Sequence, residues 1–183
     1  TKYIVTGGSG FIGSSLVRKL LEEGHSVKVF DNNSRGNQRR LEGVLDDIEF
    51  IEGDIRDLDQ VKKAFKNVDA VCHLAFVNGT RFFYELPELV LEVGVKGMMN
   101  VLDACIENDI SDFILASSSE VYQSPELVPT PEEVPLIVPD LQNARYSYGG
   151  AKLITELLAI NYGRSKFERV VIFRPHNVYG PDM

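Results

Sequence analysis

Six short runs of β-branched and apolar residues punctuate the chain, at residues 3–6, 26–31, 48–52, 69–75, 112–117 and 169–174, and each has the length and composition of a β-strand. Between them the apolar positions recur at helical spacing, which predicts helices near residues 10–23, 58–65, 87–108 and 146–164. Strands joined by helical crossovers run parallel, so the pattern predicts an α/β fold with a doubly wound parallel sheet. Residues 70–75 and 170–173 are almost continuously hydrophobic, as expected of strands covered on both faces by helices. Residues 123–143 break the rhythm, holding five of the eight prolines (Pro125, Pro129, Pro131, Pro135, Pro139) and no Lys or Arg. Proline removes a backbone donor and blocks helix interiors, so a long surface excursion is expected there, and long loops in compact domains are usually functional.

With 183 residues the chain fits one domain, or one domain and part of another. Asp and Glu number 27 against 19 Lys and Arg, for a net charge of -8, and the dense basic run at residues 35–40 is short. A nucleic-acid or anionic-membrane surface needs a basic patch, so neither is expected as a partner. Cys72 and Cys105 stand in apolar stretches without metal-ligand spacing. No metal site and no disulfide framework is expected, and a reducing cytoplasm is the expected location. No apolar run approaches the roughly 18 residues of a spanning helix, and the N-terminus lacks a basic-then-apolar signal pattern.

Residues 6–13 read Thr-Gly-Gly-Ser-Gly-Phe-Ile-Gly, directly after the first strand and opening the first helix. Glycines at 7, 10 and 13 permit a tight turn, close approach of backbone N–H groups to a pyrophosphate, and close packing of helix on strand. The helix N-terminus adds its partial positive charge. The second strand ends at Asp31, eighteen residues after Gly13. A carboxylate there accepts hydrogen bonds from the adenosine ribose hydroxyls of NAD and repels the 2′-phosphate of NADP. Arg35, four residues on, is within reach of such a phosphate, and a plain turn at Asp31-Asn32-Asn33-Ser34 is the alternative use of Asp31.

Tyr148 and Lys152 are four apart at the start of a predicted helix and share one of its faces. A Tyr hydroxyl ordinarily titrates near 10, too high for a base at neutral pH. An ammonium roughly 5 Å away, at an effective dielectric near 20, favours the phenolate by about 3 kcal/mol, or about two pKa units. The pair follows a strand ending Ala116-Ser117-Ser118-Ser119-Glu120-Val121-Tyr122. Strand carboxyl ends in such a sheet face the ligand crevice, which puts these hydroxyls and Glu120 at the reactive end of a bound dinucleotide.

Gly7-x-x-Gly10-Phe11-Ile12-Gly13, Asp31-Asn32, Gly53-Asp54-Ile55-Arg56-Asp57, His73-Leu74-Ala75, Ser117-Ser118-Ser119-Glu120-Val121-Tyr122, Tyr148-x-x-x-Lys152 and Arg174-Pro175-His176-Asn177-Val178-Tyr179-Gly180-Pro181 come in this order across the chain. Together they resemble the extended short-chain dehydrogenase/reductases, and more narrowly the nucleotide-sugar epimerases and dehydratases of that family. The resemblance implies a Rossmann-like domain over residues 1–183 that binds NAD and carries the catalytic residues. Members carry a further, smaller C-terminal domain that closes over the sugar nucleotide, and this chain is expected to lack most of it.

By the resemblance, Gly7, Gly10, Phe11, Ile12 and Gly13 hold the NAD pyrophosphate, and Asp31, Asn32, Asn33 and Ser34 the ribose. Asp54 and Ile55 contact adenine, while Leu74, Ala75, Phe76 and Pro175 line the rest of the cofactor. Tyr148 is implied as the base and Lys152 as ribose clamp and phenolate stabiliser. Ser118 bonds the sugar oxygen being oxidised, and Ser119 and Asn177 contact substrate. His73 reads as structural. The family usually has Asn where this chain has Gly94, and many members have an aromatic residue where it has His176.

The implied activity is NAD-dependent epimerisation through a transient 4-keto sugar. A 4,6-dehydratase typically has Asp-Glu where this chain has Ser119-Glu120, which argues against dehydration. Glu120 as a catalytic residue keeps that outcome and UDP-glucuronate decarboxylation as alternatives. An NAD-binding scaffold without turnover is the alternative from another class, with no physical need for Ser118, Tyr148 and Lys152 together. A homodimer through the helices near 87–108 and 146–164 is expected by analogy.

Overall fold

The computed structural model describes residues 1–181 and 183. At its centre is one six-stranded parallel sheet of β1 (Lys2–Thr6), β2 (Ser26–Asp31), β3 (Ile48–Glu52), β4 (Ala70–His73), β5 (Asp112–Ala116) and β6 (Arg169–Phe173), in the order 3-2-1-4-5-6. Thr6 pairs with Phe30 and His73, and Ala116 with Phe173, so the carboxyl ends of neighbouring strands finish side by side. The strand order reverses between β1 and β4, and the crevice outside the carboxyl ends at such a point is where these sheets take ligands.

Alternation along each strand divides the core into two. Ile4, Phe30, Val71, Phe113 and Leu115 belong to the apolar cluster on one face, and Val5, Val29 and Cys72 to the cluster on the other. Helix α1 (Phe11–Glu22) covers the second cluster through Leu16, Val17 and Leu20. The first is covered by α2 (Leu58–Ala64), α3 (Thr80–Glu85), α4 (Pro87–Leu91), α5 (Gly97–Glu107) and α6 (Ser147–Lys166). Both faces are therefore sealed, which is why the central strands read as unbroken apolar runs. Lys28 of β2 is a buried cation whose ammonium donates to the carbonyls of Ala64 (3.1 Å) and Lys66 (2.9 Å). Those carbonyls close the C-terminal end of α2, where a helix leaves acceptors unpaired and favours positive charge.

Three elements differ from expectation. β4 ends at His73 rather than at residue 75, because the chain leaves the ladder where it passes over the glycine loop: a Cβ on Gly7 would lie 2.8 Å from the Ala75 nitrogen. The helix expected over 87–108 is continuous but irregular, with α4 running through a π turn at Glu92–Lys96 into α5. Helix α3, six residues long, is too short to register a period. Residues 123–143 do form a surface excursion, pinned where Arg174 donates to the Glu132 carbonyl (3.0 Å). Among the described residues no helix is long and apolar enough to cross a membrane.

Candidate functional site

Gly7 leaves β1 with φ +74°, its amide donating to the Phe30 carbonyl (2.9 Å). Gly10 N–H donates to the Gly7 carbonyl (3.1 Å), closing the turn, and a Cβ on Gly13 would collide with that same carbonyl. Glycine is thus required at 7 for the backbone conformation and at 13 for the helix to sit against the loop. Among the described residues no side chain caps the N-terminus of α1, which leaves its first amides available to an anion beside Phe11 and the partly exposed Ile12.

Asp31 is buried at the mouth of this loop. One carboxylate oxygen accepts from Ser9 N–H (2.9 Å) and the other from Asn33 N–H (2.9 Å), leaving lone pairs over for a ligand. The bond to Asn33 is the turn that the alternative reading of Asp31 proposed, and it coexists with a carboxylate at the groove. Asn32 spans the groove's edge, donating to Asp54 (3.0 Å) and accepting from Ser34 N–H (3.0 Å). Arg56 grips Asp54 through two nitrogens (3.0 and 2.8 Å) and draws its carboxyl down to about 2. A groove of about 110 Å³ joins Gly7, Gly10, Asp31, Asn32, Ser34, Asp54, Ile55, Leu74, Ala75 and Phe76. Arg35 also lines it, with its guanidinium stacked over the Phe82 ring of α3 at 4.7 Å.

Next to Phe76 of this groove, Tyr148 lies in the first turn of α6, buried, stacked on Phe83 (4.9 Å) and meeting Phe76 edge-on (5.2 Å). Ser118 leaves β5 and starts the short turn Ser119–Tyr122, its hydroxyl accepting from Glu120 N–H (3.2 Å). Lys152 lies one turn beyond Tyr148 and is buried. Its ammonium donates to the Ala116 carbonyl (2.7 Å) and lies 3.9 Å from the centre of the Phe76 ring.

This arrangement corrects the expected electrostatics. Burial pushes the Tyr148 hydroxyl above its ordinary value and Glu120 adds to the rise, while the neighbouring Ser118 hydroxyl acts the other way. Lys152 does not pull the phenol down here, because burial lowers its own ammonium to about 7, against the pull of Glu156, and the Ala116 carbonyl and Phe76 ring hold it. His73 is buried with Nδ1 2.7 Å from the Thr6 hydroxyl; burial, and then the Lys152 charge, lower it to about 3. It is therefore a neutral spacer between β1 and β4, in keeping with a structural part.

Glu120 faces a different space, a cleft of about 1140 Å³ shared with Ser119, Arg145, Tyr146 and His176, and pairs with Arg145 at 3.3 Å. Asn177 is exposed beyond β6. The Pro175 carbonyl accepts from Ser119 N–H (3.0 Å), which ties the end of β6 to the serine loop. Sequence reasoning missed the buried network beneath that loop. Glu156 accepts from the Ser117 hydroxyl and takes two bonds from Arg174 (2.8 and 2.7 Å), and Arg174 also donates to the Tyr122 hydroxyl (2.8 Å). The available signal was an acid four residues after Lys152, on the same helix face.

Residues 3–183 match the model of the "NAD dependent epimerase/dehydratase family". Among solved structures, the UDP-glucose 4-epimerase of Thermus thermophilus in complex with NAD is similar over the whole chain and 57% of its own, with 31% identity and a TM-score of 0.88. A UDP-N-acetyl-alpha-D-glucosaminuronate decarboxylase of Bacillus cytotoxicus is 32% identical over 97% of this chain and 54% of its own. A bifunctional UDP-glucose 4-epimerase and UDP-xylose 4-epimerase of Pisum sativum is 30% identical over 98% and 53%. The chain spans about half the length of the curated relatives it matches.

Proposed function

The chain belongs to the NAD dependent epimerase/dehydratase family, and from that membership we propose that it is the NAD-binding, catalytic part of a nucleotide-sugar epimerase. The observation that carries this reading is the clustering of Ser118, Tyr148 and Lys152 beyond the carboxyl end of β5, with Phe76 of the glycine-loop groove packed against both Tyr148 and Lys152.

The residues present fit NAD: a glycine cradle with no room for a Cβ, uncapped helix amides for the pyrophosphate, and a fixed carboxylate for the ribose. Gly7, Gly10, Phe11, Ile12 and Gly13 take the pyrophosphate, and Asp31, Asn32, Asn33 and Ser34 the ribose. Asp54 and Ile55 take the adenine side, with Leu74, Ala75, Phe76 and Pro175 lining the remainder. When bound there, NAD supplies hydride chemistry at the sugar's C4. Tyr148 takes the proton of the 4-hydroxyl and returns it, Ser118 holds that oxygen, and Lys152, held against the Ala116 carbonyl, serves as the ribose clamp. Ser119 and Asn177 contact the sugar nucleotide.

Epimerisation requires no further acid, whereas 4,6-elimination does. The pairing of Glu120 with Arg145 occupies the one carboxylate of the serine loop and supports epimerisation over dehydration or decarboxylation. A homodimer is supported by the exposed apolar residues Leu91, Ile154, Leu157 and Ile160 on α4 and α6. A cytoplasmic setting is supported by two free, buried cysteines. A further substrate-closing domain is supported by the half-length match to relatives.

The complete polypeptide is expected to invert C4 of at least one of UDP-glucose, UDP-N-acetylglucosamine, UDP-glucuronate and dTDP-glucose, read by NMR of the products. Release of water or CO₂ from the sugar would sink the epimerase reading in favour of its dehydratase or decarboxylase relatives.

A further inference from the structure

Phe76 stands just past the end of β4, and its ring is enclosed on several sides. In the π turn beneath it, a Cβ on Gly94 would lie 2.5 Å from Cζ and 2.9 Å from Cε2 of the ring, and 3.1 Å from the Ala151 Cβ. Tyr148 meets the ring edge-on, and the Lys152 ammonium covers it, 3.9 Å from its centre. The aromatic ring therefore fills the volume that any side chain at position 94 would claim, and Gly94 and Phe76 are complementary halves of one contact.

We infer that Phe76, seated on Gly94, is the positioning residue for Lys152, its ring face holding the ammonium against the Ala116 carbonyl. An aromatic face carries negative potential, and the attraction strengthens as water is excluded; the Lys152 side chain is buried and the Phe76 ring half-buried. The other groups facing this ammonium are few. Tyr148 lies one turn before it, 5.7 Å from ring centre to Nζ, and Glu156 one turn after it on α6. Neutral His73 lies at the end of β4, and the Ala116 carbonyl at the end of β5. Burial works against the charged lysine, while Glu156 and the Phe76 ring work for it. This inference rests on the reading of Lys152 as part of the catalytic set.

The test replaces Phe76 in the complete polypeptide with 3,5-difluorophenylalanine, which keeps the ring's shape and weakens its negative face, and separately with Leu. The Lys152 side-chain resonance, assigned by its loss in Lys152→Gln, is titrated by NMR. Its midpoint is expected to fall in both variants, by about one pH unit in Phe76→Leu and by less in the fluorinated protein. The rate constant kcat at neutral pH should drop about tenfold in Phe76→Leu. An unmoved midpoint in the fluorinated protein overturns the inference, and so does a loss of NAD affinity with the midpoint unmoved, which would make Phe76 a cofactor wall alone. If Phe76→Leu does not fold, the fluorinated protein decides. Tyr148→Phe in the same assay separates the two levels: unchanged turnover there defeats the enzymatic reading, while the titration still judges Phe76.

Discussion

Replacing Tyr148 with Phe lowers kcat about a thousandfold, within the range of about 10² to 10⁴ that positioned acid–base groups contribute. The substitution removes a single hydroxyl and leaves the ring, which keeps its stack on Phe83 and its edge contact with Phe76. The fold and the glycine groove should therefore survive, and NAD binding should change by no more than about threefold, since the lost oxygen is one contact among many. What disappears is the proton carrier, so reduction of bound NAD by the sugar nucleotide, followed through the absorbance of the reduced cofactor, should slow as much as turnover does. A non-catalytic scaffold predicts the opposite, with no slow step to lose and no reduction of NAD in either protein.

Replacing Arg174 with Met has the largest expected effect on stability. Glu156 is 3% exposed, and Arg174 supplies two of its three hydrogen bonds. Removing the cation leaves a buried carboxylate with the Ser117 hydroxyl as its remaining partner, and breaking such a pair costs about 3–5 kcal/mol. For a chain of this size that corresponds to a fall in Tm of about 10 °C. The double substitution Glu156→Leu with Arg174→Met should recover most of the loss, because an apolar pair of similar volume is often neutral or better. Calorimetry of the three variants checks this, and a fall of less than about 1 kcal/mol in Arg174→Met contradicts it. Ser117 immediately precedes Ser118, so the same substitution should also lower kcat through the serine loop.

Much of this was legible along the chain because burial imposes its period on the sequence. Every predicted run contains a strand or, at residues 3–6, all of it but Lys2, and residues 10–23, 58–65 and 146–164 contain or largely cover α1, α2 and α6. The glycine loop and Asp31 were readable for a related reason: their chemistry is local, confined to a turn and the strand beside it. Features made by long-range contacts were not. Gly94 marks the π turn only as a small residue, and its meaning lies in the Phe76 ring eighteen positions earlier. Arg174 and Glu156 are likewise eighteen residues apart and joined only once α6 and β6 pack. The Tyr148–Lys152 spacing correctly indicated a shared helix face but not the direction of the ammonium, which depends on the depth of burial and on the Ala116 carbonyl across the sheet. Proximity along a helix is set by its period, whereas the sign of a pKa shift is set by everything packed around it.

The most direct measurement uses a UDP-sugar deuterated at C4, incubated with the complete polypeptide and NAD. Hydride leaving C4 and returning to the same carbon predicts a product inverted at C4 that retains its deuterium. Loss of the label to solvent, or a product that has lost water or CO₂, would contradict it.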